Sequence, residues 1–321
     1  MKNLSWRVLL LFLIALSLLL TLILLFYPEK KIEKQALYLR PLDFVAIYKN
    51  PDVNQDHFWE NLDLTAESVY AFDLESSTLL YEKNSRAKLY PASTIKMLTA
   101  LVAIEHYQLD ELLIVETEAK IIGNKINAQS GEKLRAKDLL AALLLASAND
   151  SAYILANNYP GGLSAFVGSM NKKAQELNLA DSQFFNPAGL DELDQLSSAR
   201  DLNVLARELL KNDFLRGLVA TPYLEINSQN EANTKQTTTA YQLFNTNQLL
   251  GRLGGIKGVK TGTTDWAGEV LVTLVERNGR EVLISLMNSQ DRYSDTQKLL
   301  AWIFNVYQFV RPEKSLVNLN F

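Results

Sequence analysis

Ser93 and Lys96, in the stretch Leu89-Tyr90-Pro91-Ala92-Ser93-Thr94-Ile95-Lys96, have side chains and a spacing that suit chemistry. Pro91 fits the entry to a helix, and the run Met97 to Ile104 is apolar at helical spacing, which predicts Ser93 in a first turn. Residues three apart on a helix share a face, with Cβ atoms about 5–6 Å apart. A serine hydroxyl attacks at neutral pH only beside a base, and lysine serves as that base only where burial or a second cation keeps its amine neutral. The helix start adds a free backbone N–H and a positive dipole end for a developing oxyanion. Taken alone, the pair is more often a helix-start serine beside a solvated lysine.

Two further stretches sharpen the reading. Ser147-Ala148-Asn149-Asp150 breaks the apolar periodicity between two helical segments, and Lys260-Thr261-Gly262-Thr263 ends a strand ahead of Asp265-Trp266-Ala267-Gly268. Singly, the first is an N-cap loop and the second a turn. Together, in the order SxxK, SxN, KTG, they describe one constellation. A second ammonium at Lys260 disfavours a charged Lys96, and a strand edge at Lys260–Thr263 can take an extended peptide beside Ser93.

Composition narrows the remaining chemistry. The 321 residues include no cysteine, so disulfides and thiolate metal sites are excluded. The two histidines, His57 and His106, stand far apart outside any HExxH arrangement, which disfavours zinc and a Ser-His-Asp triad. No cofactor is implied. The net charge of −4 argues against nucleic acid as a partner.

These groups need elements to hold them. Strands are predicted at Ser68–Asp73 and Thr78–Glu82, joined by Glu75-Ser76-Ser77, and the Ser93 helix follows. A helical region comes next: Ala136–Ala146, Ser151–Asn157, Leu163–Leu177, Ser198–Leu210 and Phe214–Ala220. Strands return at Lys257–Lys260, Glu269–Glu276 and Glu281–Met287, the last two joined by Asn278-Gly279, a type I′ hairpin signal. Tyr293–Phe309 closes as an amphipathic helix. This order implies an α/β chain of the α+β type: an antiparallel sheet flanked by helices, interrupted by an all-helical lobe, with the site at the seam.

Ahead of that body, residues 1–7 read as a short cytoplasmic tail. Residues 8–27 are almost unbroken Leu, Ile, Val and Phe, long enough to cross a bilayer core of about 30 Å, with Lys2 and Arg7 before them and no small-x-small cleavage site after. This is a signal anchor, giving a single-pass membrane protein. Residues 28–64 read as a juxtamembrane stalk, 65–311 as the catalytic domain and 312–321 as a C-terminal tail.

The chain resembles the penicillin-binding-protein and serine β-lactamase fold, whose three boxes come in this order. It is most similar to the low-molecular-weight D-alanyl-D-alanine carboxypeptidases of peptidase family S11. Further shared stretches are Asn186-Pro187-Ala188-Gly189-Leu190-Asp191, Ser198-Ala199-Arg200-Asp201-Leu202, Asn245-Thr246-Asn247-Gln248-Leu249-Leu250 and Gly258-Val259-Lys260-Thr261-Gly262. The resemblance implies that Ser93 attacks the carbonyl between two terminal D-alanines, that Lys96 is the base, and that Ser147 relays the proton to the leaving amine. It implies further that Asn149 holds the substrate amide, that Lys260, Thr261 and Arg200 bind the terminal carboxylate, that Gly262 completes the substrate-binding box, and that the N–H groups of Ser93 and Thr263 form the oxyanion hole.

The substrate implied is a peptidoglycan pentapeptide ending in D-Ala-D-Ala, with β-lactams as covalent inhibitors and the catalytic domain on the extracytoplasmic side. Thr263 stands where some relatives carry His, and Ala188 where His is frequent. A class A β-lactamase is disfavoured because Ala174 occupies the Glu position of the ExxLN-like segment ending Leu177-Asn178. A D,D-endopeptidase and a non-catalytic penicillin-binding or wall-sensing receptor are the alternatives.

Overall fold

The computed structural model describes residues 46–49, 62–116, 121–232 and 235–310. The 1–7 tail, the 8–27 anchor, most of the 28–64 stalk, His57 and the 312–321 tail lie outside these residues. Among the described residues no helix is long and apolar enough to cross a membrane.

In chain order the elements are β1 (Ala46–Lys49), β2 (Ser68–Asp73), β3 (Thr78–Lys83), α1 (Lys96–His106), β4 (Leu112–Ile114), β5 (Lys133–Arg135), α2 (Ala136–Leu144), α3 (Asn149–Asn157), α4 (Gly162–Glu176), α5 (Ala199–Leu210) and α6 (Asp213–Val219). They continue as β6 (Tyr223–Asn227), β7 (Asn230–Ala232), β8 (Lys235–Thr237), β9 (Ala240–Phe244), β10 (Ile256–Thr264), β11 (Gly268–Arg277), β12 (Arg280–Ser289), α7 (Arg292–Val306) and β13 (Tyr307–Val310). Five strands form the main antiparallel sheet in the order β10-β11-β12-β2-β3, which leaves β10 as an edge.

The sheet is buried on both faces, and strand alternation sorts its side chains between two cores. Val270, Val272, Leu274 and Leu283 join the core shared with α1, α5 and the helical lobe. Leu271, Val275, Val282 and Ile284 face the other way, onto Leu299 and Ile303 of α7. Both faces being covered explains why β11 and β12 read as continuous apolar runs. Asn278 and Gly279 both take positive φ, 53° and 69°, closing the β11–β12 hairpin as the Asn-Gly signal predicted.

The predicted helices are present with ends shifted by one or two residues, and three boundaries differ in ways that matter. Ser93 lies in a 3-10 turn, Ala92–Ile95, and Lys96 is the first residue of the α-helix proper. The last helix stops at Val306, because Tyr307–Val310, rich in aromatic and β-branched residues, pairs antiparallel with Ala46–Lys49. That pairing draws four residues of the expected stalk into the fold. The folded body also begins before residue 65: Leu64 is buried, and Thr65 and Ala66 donate their backbone N–H groups to Asp295 at 3.0 and 2.8 Å. Short strands such as β4, β5 and the β6–β9 pair carry too few residues to show a period.

Candidate active site

Between the sheet edge and the helical lobe lies a cleft of about 680 Å³. Ser93, Ser147, Asn149, Thr261, Gly262 and Thr263 all line it. Lys96 and Lys260 lie beneath its floor, 0% and 1% exposed.

Lys96 Nζ has three oxygen neighbours: Ser93 Oγ at 2.8 Å, Asn149 Oδ1 at 2.7 Å and the Ala188 carbonyl. Burial pushes its pKa well below the ordinary lysine value; the charge of Lys260 lowers it further and Asp150 opposes. A neutral amine has two N–H donors and one lone pair. The two carbonyl oxygens take the donors, which leaves the lone pair toward the Ser93 hydroxyl. This is the arrangement of a general base and its nucleophile.

The oxygen that fixes the amine from below comes from the Asn186-Pro187-Ala188-Gly189-Leu190-Asp191 stretch. Asn186 Oδ1 accepts the backbone N–H groups of Ala188, Gly189 and Leu190 at 3.2, 2.8 and 3.2 Å. Thr99 Oγ1 donates to the Pro187 carbonyl at 2.7 Å. Together they hold the loop so that its carbonyl reaches Lys96.

The serine turn is gripped from two sides. Ala92, the residue before the nucleophile, has φ +48°, and Ser147 has φ +56°, both in the left-handed region that non-glycine residues rarely adopt. Gly189 has φ +78°, and a Cβ there would lie 2.1 Å from the Ala92 carbonyl oxygen. A Cβ on Gly262 would lie 2.9 Å from both the Ser93 nitrogen and the Ala92 Cβ. The bare backbone of β10 thus lies against the Ser93 N–H, where an oxyanion hole would be built.

Asn149 does more than was expected of a substrate ligand. Its Oδ1 orients Lys96, and its Nδ2 donates to the Ile122 carbonyl at 2.6 Å, tying the far wall to the base and leaving one N–H for a ligand. Asp150 secures the same wall: its carboxylate accepts the N–H groups of Ile126, Asn127, Ala128 and Ser151 at 3.2, 2.8, 3.4 and 2.9 Å.

Arg200 is not brought to the cleft. It is not among the residues that line the cavity, and its backbone N–H donates to the Ser85 carbonyl at 3.0 Å. Ser198 caps α5 by accepting from Asp201, so that stretch anchors a helix. The guanidinium that lines the cleft is Arg292, at the start of α7. Its Nη1 donates to the Gly262 carbonyl and to Thr263 Oγ1, both at 2.7 Å. Burial, with help from the Arg292 charge, lowers the pKa of Lys260 to about 7. No motif singled out Arg292. The readable signal was a cation on the first residue of a helix, against the dipole.

His106 packs against Tyr107 and Tyr159, ring centroids 4.7 and 4.5 Å away, and does not line the cleft. Ala174 is buried in α4, and the nearby Glu176 pairs with Lys173 at 2.8 Å rather than facing Ser93.

A sequence profile described as D-alanyl-D-alanine carboxypeptidase, peptidase S11, matches residues 54–291. The D-alanyl-D-alanine carboxypeptidase DacF of Bacillus subtilis is 32% identical over 254 residues, covering 76% of this chain and 63% of that protein. The chain thus spans less than two thirds of that relative's length. A D-alanyl-D-alanine endopeptidase of Escherichia coli is 30% identical over 250 residues, 75% of this chain and 78% of its own. The crystal structure of the Streptomyces K15 DD-transpeptidase superposes with a TM-score of 0.71 at 28% identity, over 76% of this chain and 98% of that one. Penicillin-binding protein D2 from Listeria monocytogenes, in its ampicillin-bound form, gives 0.65 at 27% identity, over 76% and 99%.

Proposed function

Since the chain belongs to peptidase family S11, the D-alanyl-D-alanine carboxypeptidases, we propose that it removes the terminal D-alanine from peptidoglycan stem peptides through a serine acyl-enzyme that β-lactams trap. The observation that carries this reading is the buried Lys96 amine, 2.8 Å from Ser93 Oγ with its donors occupied by two carbonyl oxygens.

The substrate lies along the free edge of β10 as an added strand. Its terminal carboxylate meets Lys260, Thr261 and Arg292. Ser93 Oγ bonds to the scissile carbonyl carbon while Lys96 takes its proton. The oxyanion is held by backbone N–H groups at Ser93 and Thr263. The C–N bond then breaks, the leaving amine taking a proton through Ser147, and water releases the peptide from Ser93 with the proton returned by the same route.

Full-length protein incubated with a pentapeptide ending in D-Ala-D-Ala is expected to release D-alanine. Acylation by penicillin with no release would favour the receptor reading.

The apolar run at 8–27 and the substrate class together support a membrane anchor with residues 28–321 outside the cell membrane. Protease added to intact cells is expected to remove the domain; full protection would overturn that topology.

A further inference from the structure

The stretch Asn245-Thr246-Asn247-Gln248-Leu249-Leu250 supplies none of the groups assigned to the reaction, yet Thr246 lines the cleft. The stretch follows directly on β9, whose Gln242 and Phe244 are exposed. Its two asparagines are used up by the backbone around them. Asn245 Nδ2 donates to the Val219 and Thr221 carbonyls at 3.2 and 3.0 Å, and its Oδ1 accepts the Asn247 N–H at 2.9 Å. Asn247 Nδ2 donates to the Gly258 carbonyl at 3.2 Å, while its Oδ1 accepts the Leu249 N–H at 3.1 Å. The stretch is thereby pinned between the end of α6 and β10, and Thr246 is the residue so held.

Thr246 is tied to three parts of the site. Its backbone N–H donates to the Leu145 carbonyl at 3.1 Å, two residues ahead of Ser147. Its carbonyl accepts the Tyr293 hydroxyl at 3.1 Å, one residue past Arg292. Its side-chain hydroxyl lies 2.6 Å from that of Thr261, which is 4% exposed. With the backbone fastened on both sides and the side chain branched at Cβ, the hydroxyl has a fixed seat.

A hydroxyl carries one proton and two lone pairs. Across this contact only one of the two threonines can donate, and the geometry allows either. A carboxylate accepts only, so its arrival selects the direction: Thr261 turns its single proton to the ligand, and Thr246 donates to the Thr261 oxygen. Hydrogen bonds in series polarise one another, and those ending on a charged acceptor are the strong ones. Without the Thr246 hydroxyl, Thr261 keeps its proton but loses the donor that fixes where that proton points.

We infer that Thr246 is a positioning residue, which aims the Thr261 hydroxyl at the terminal carboxylate of the substrate. The inference rests on the carboxypeptidase reading above. Its effect is confined to the steps before D-alanine departs. Once the C–N bond has broken, the acyl-enzyme carries no terminal carboxylate, and its hydrolysis has no use for the hydroxyl pair.

The test uses the full-length chain and its Thr246→Val, Thr246→Ser and Thr261→Val variants, with the double variant carrying both valine substitutions, assayed for D-alanine release from the pentapeptide. Valine keeps the shape of threonine without the hydroxyl, and serine keeps the hydroxyl. Thr246→Val is expected to lower kcat/KM about tenfold through KM, with kcat within about twofold of wild type, and Thr246→Ser to stay within about threefold in both. Thr261→Val is expected to cost at least as much, and adding Thr246→Val to it to cost less than about twofold more. Losses that multiply in the double variant would overturn the inference, as would a Thr246→Val variant equal to wild type, a loss carried by kcat, or a serine variant as impaired as the valine one. Absence of D-alanine release by wild type would overturn the carboxypeptidase reading and take this inference with it.

Discussion

Ser93→Ala is expected to abolish D-alanine release and covalent labelling by penicillin, a loss of about 10⁵-fold or to the detection limit, while the melting temperature stays within a few degrees. The two halves of that result have separate causes. In the proposed reaction the hydroxyl is the atom that forms the acyl bond, and it lies 2.8 Å from Lys96 Nζ. Its structural worth is small, because Ser93 is only partly buried and the net value of one hydrogen bond is about 1 kcal/mol. Penicillin labelling in gel and a thermal melt on the same preparation check both. A residual rate within tenfold of wild type would assign the nucleophile elsewhere.

The second large effect is at Lys96. Lys96→Met keeps the volume and apolar stem but removes the lone pair, and acylation is expected to slow about 10³-fold, within the range for a positioned general base. Non-covalent affinity should move far less. The pH profile separates a base from a packing residue. The amine works only when neutral, so the wild-type acylation rate should rise with pH as Lys96 loses its proton, at a pH well below that of an ordinary lysine. With the folded pKa depressed, the unfolded chain binds the extra proton, so the buried lysine costs stability below its unfolded pKa and that cost shrinks as pH rises. Lys96→Met should therefore flatten the acid limb of the rate profile. Persistence of that limb in the variant would refute the assignment.

The parts of the site legible in the sequence were those written in side chains of unusual type at fixed spacing. Ser93, Lys96, Ser147, Asn149 and Lys260 could each be named from three short boxes, and the structure gathers them at one cleft. The Asn278-Gly279 hairpin and the apolar runs of β11 and β12 were legible for the same reason, since local chemistry and global burial agree there. What stayed hidden was carried by backbone or by long-range pairing. The Ala188 carbonyl that takes one of the Lys96 protons has no signature in its side chain. Arg292 reaches β10 only because α7 packs on the sheet, whereas Arg200, prominent in a motif, does not line the cavity. Ala46–Lys49 found its partner some 260 positions away, a pairing that no window of local sequence contains.

Gly189 and Gly262 both close on Ala92, and neither has room for a side chain. Their bareness sets where this scaffold can diversify. The seat of the hydroxyl tolerates no added bulk, so new specificities, natural or engineered, have to be written at a distance, in the 122–124 wall, at Thr263 and along the outer rim of the 242–244 strand, while the machinery they serve stays fixed.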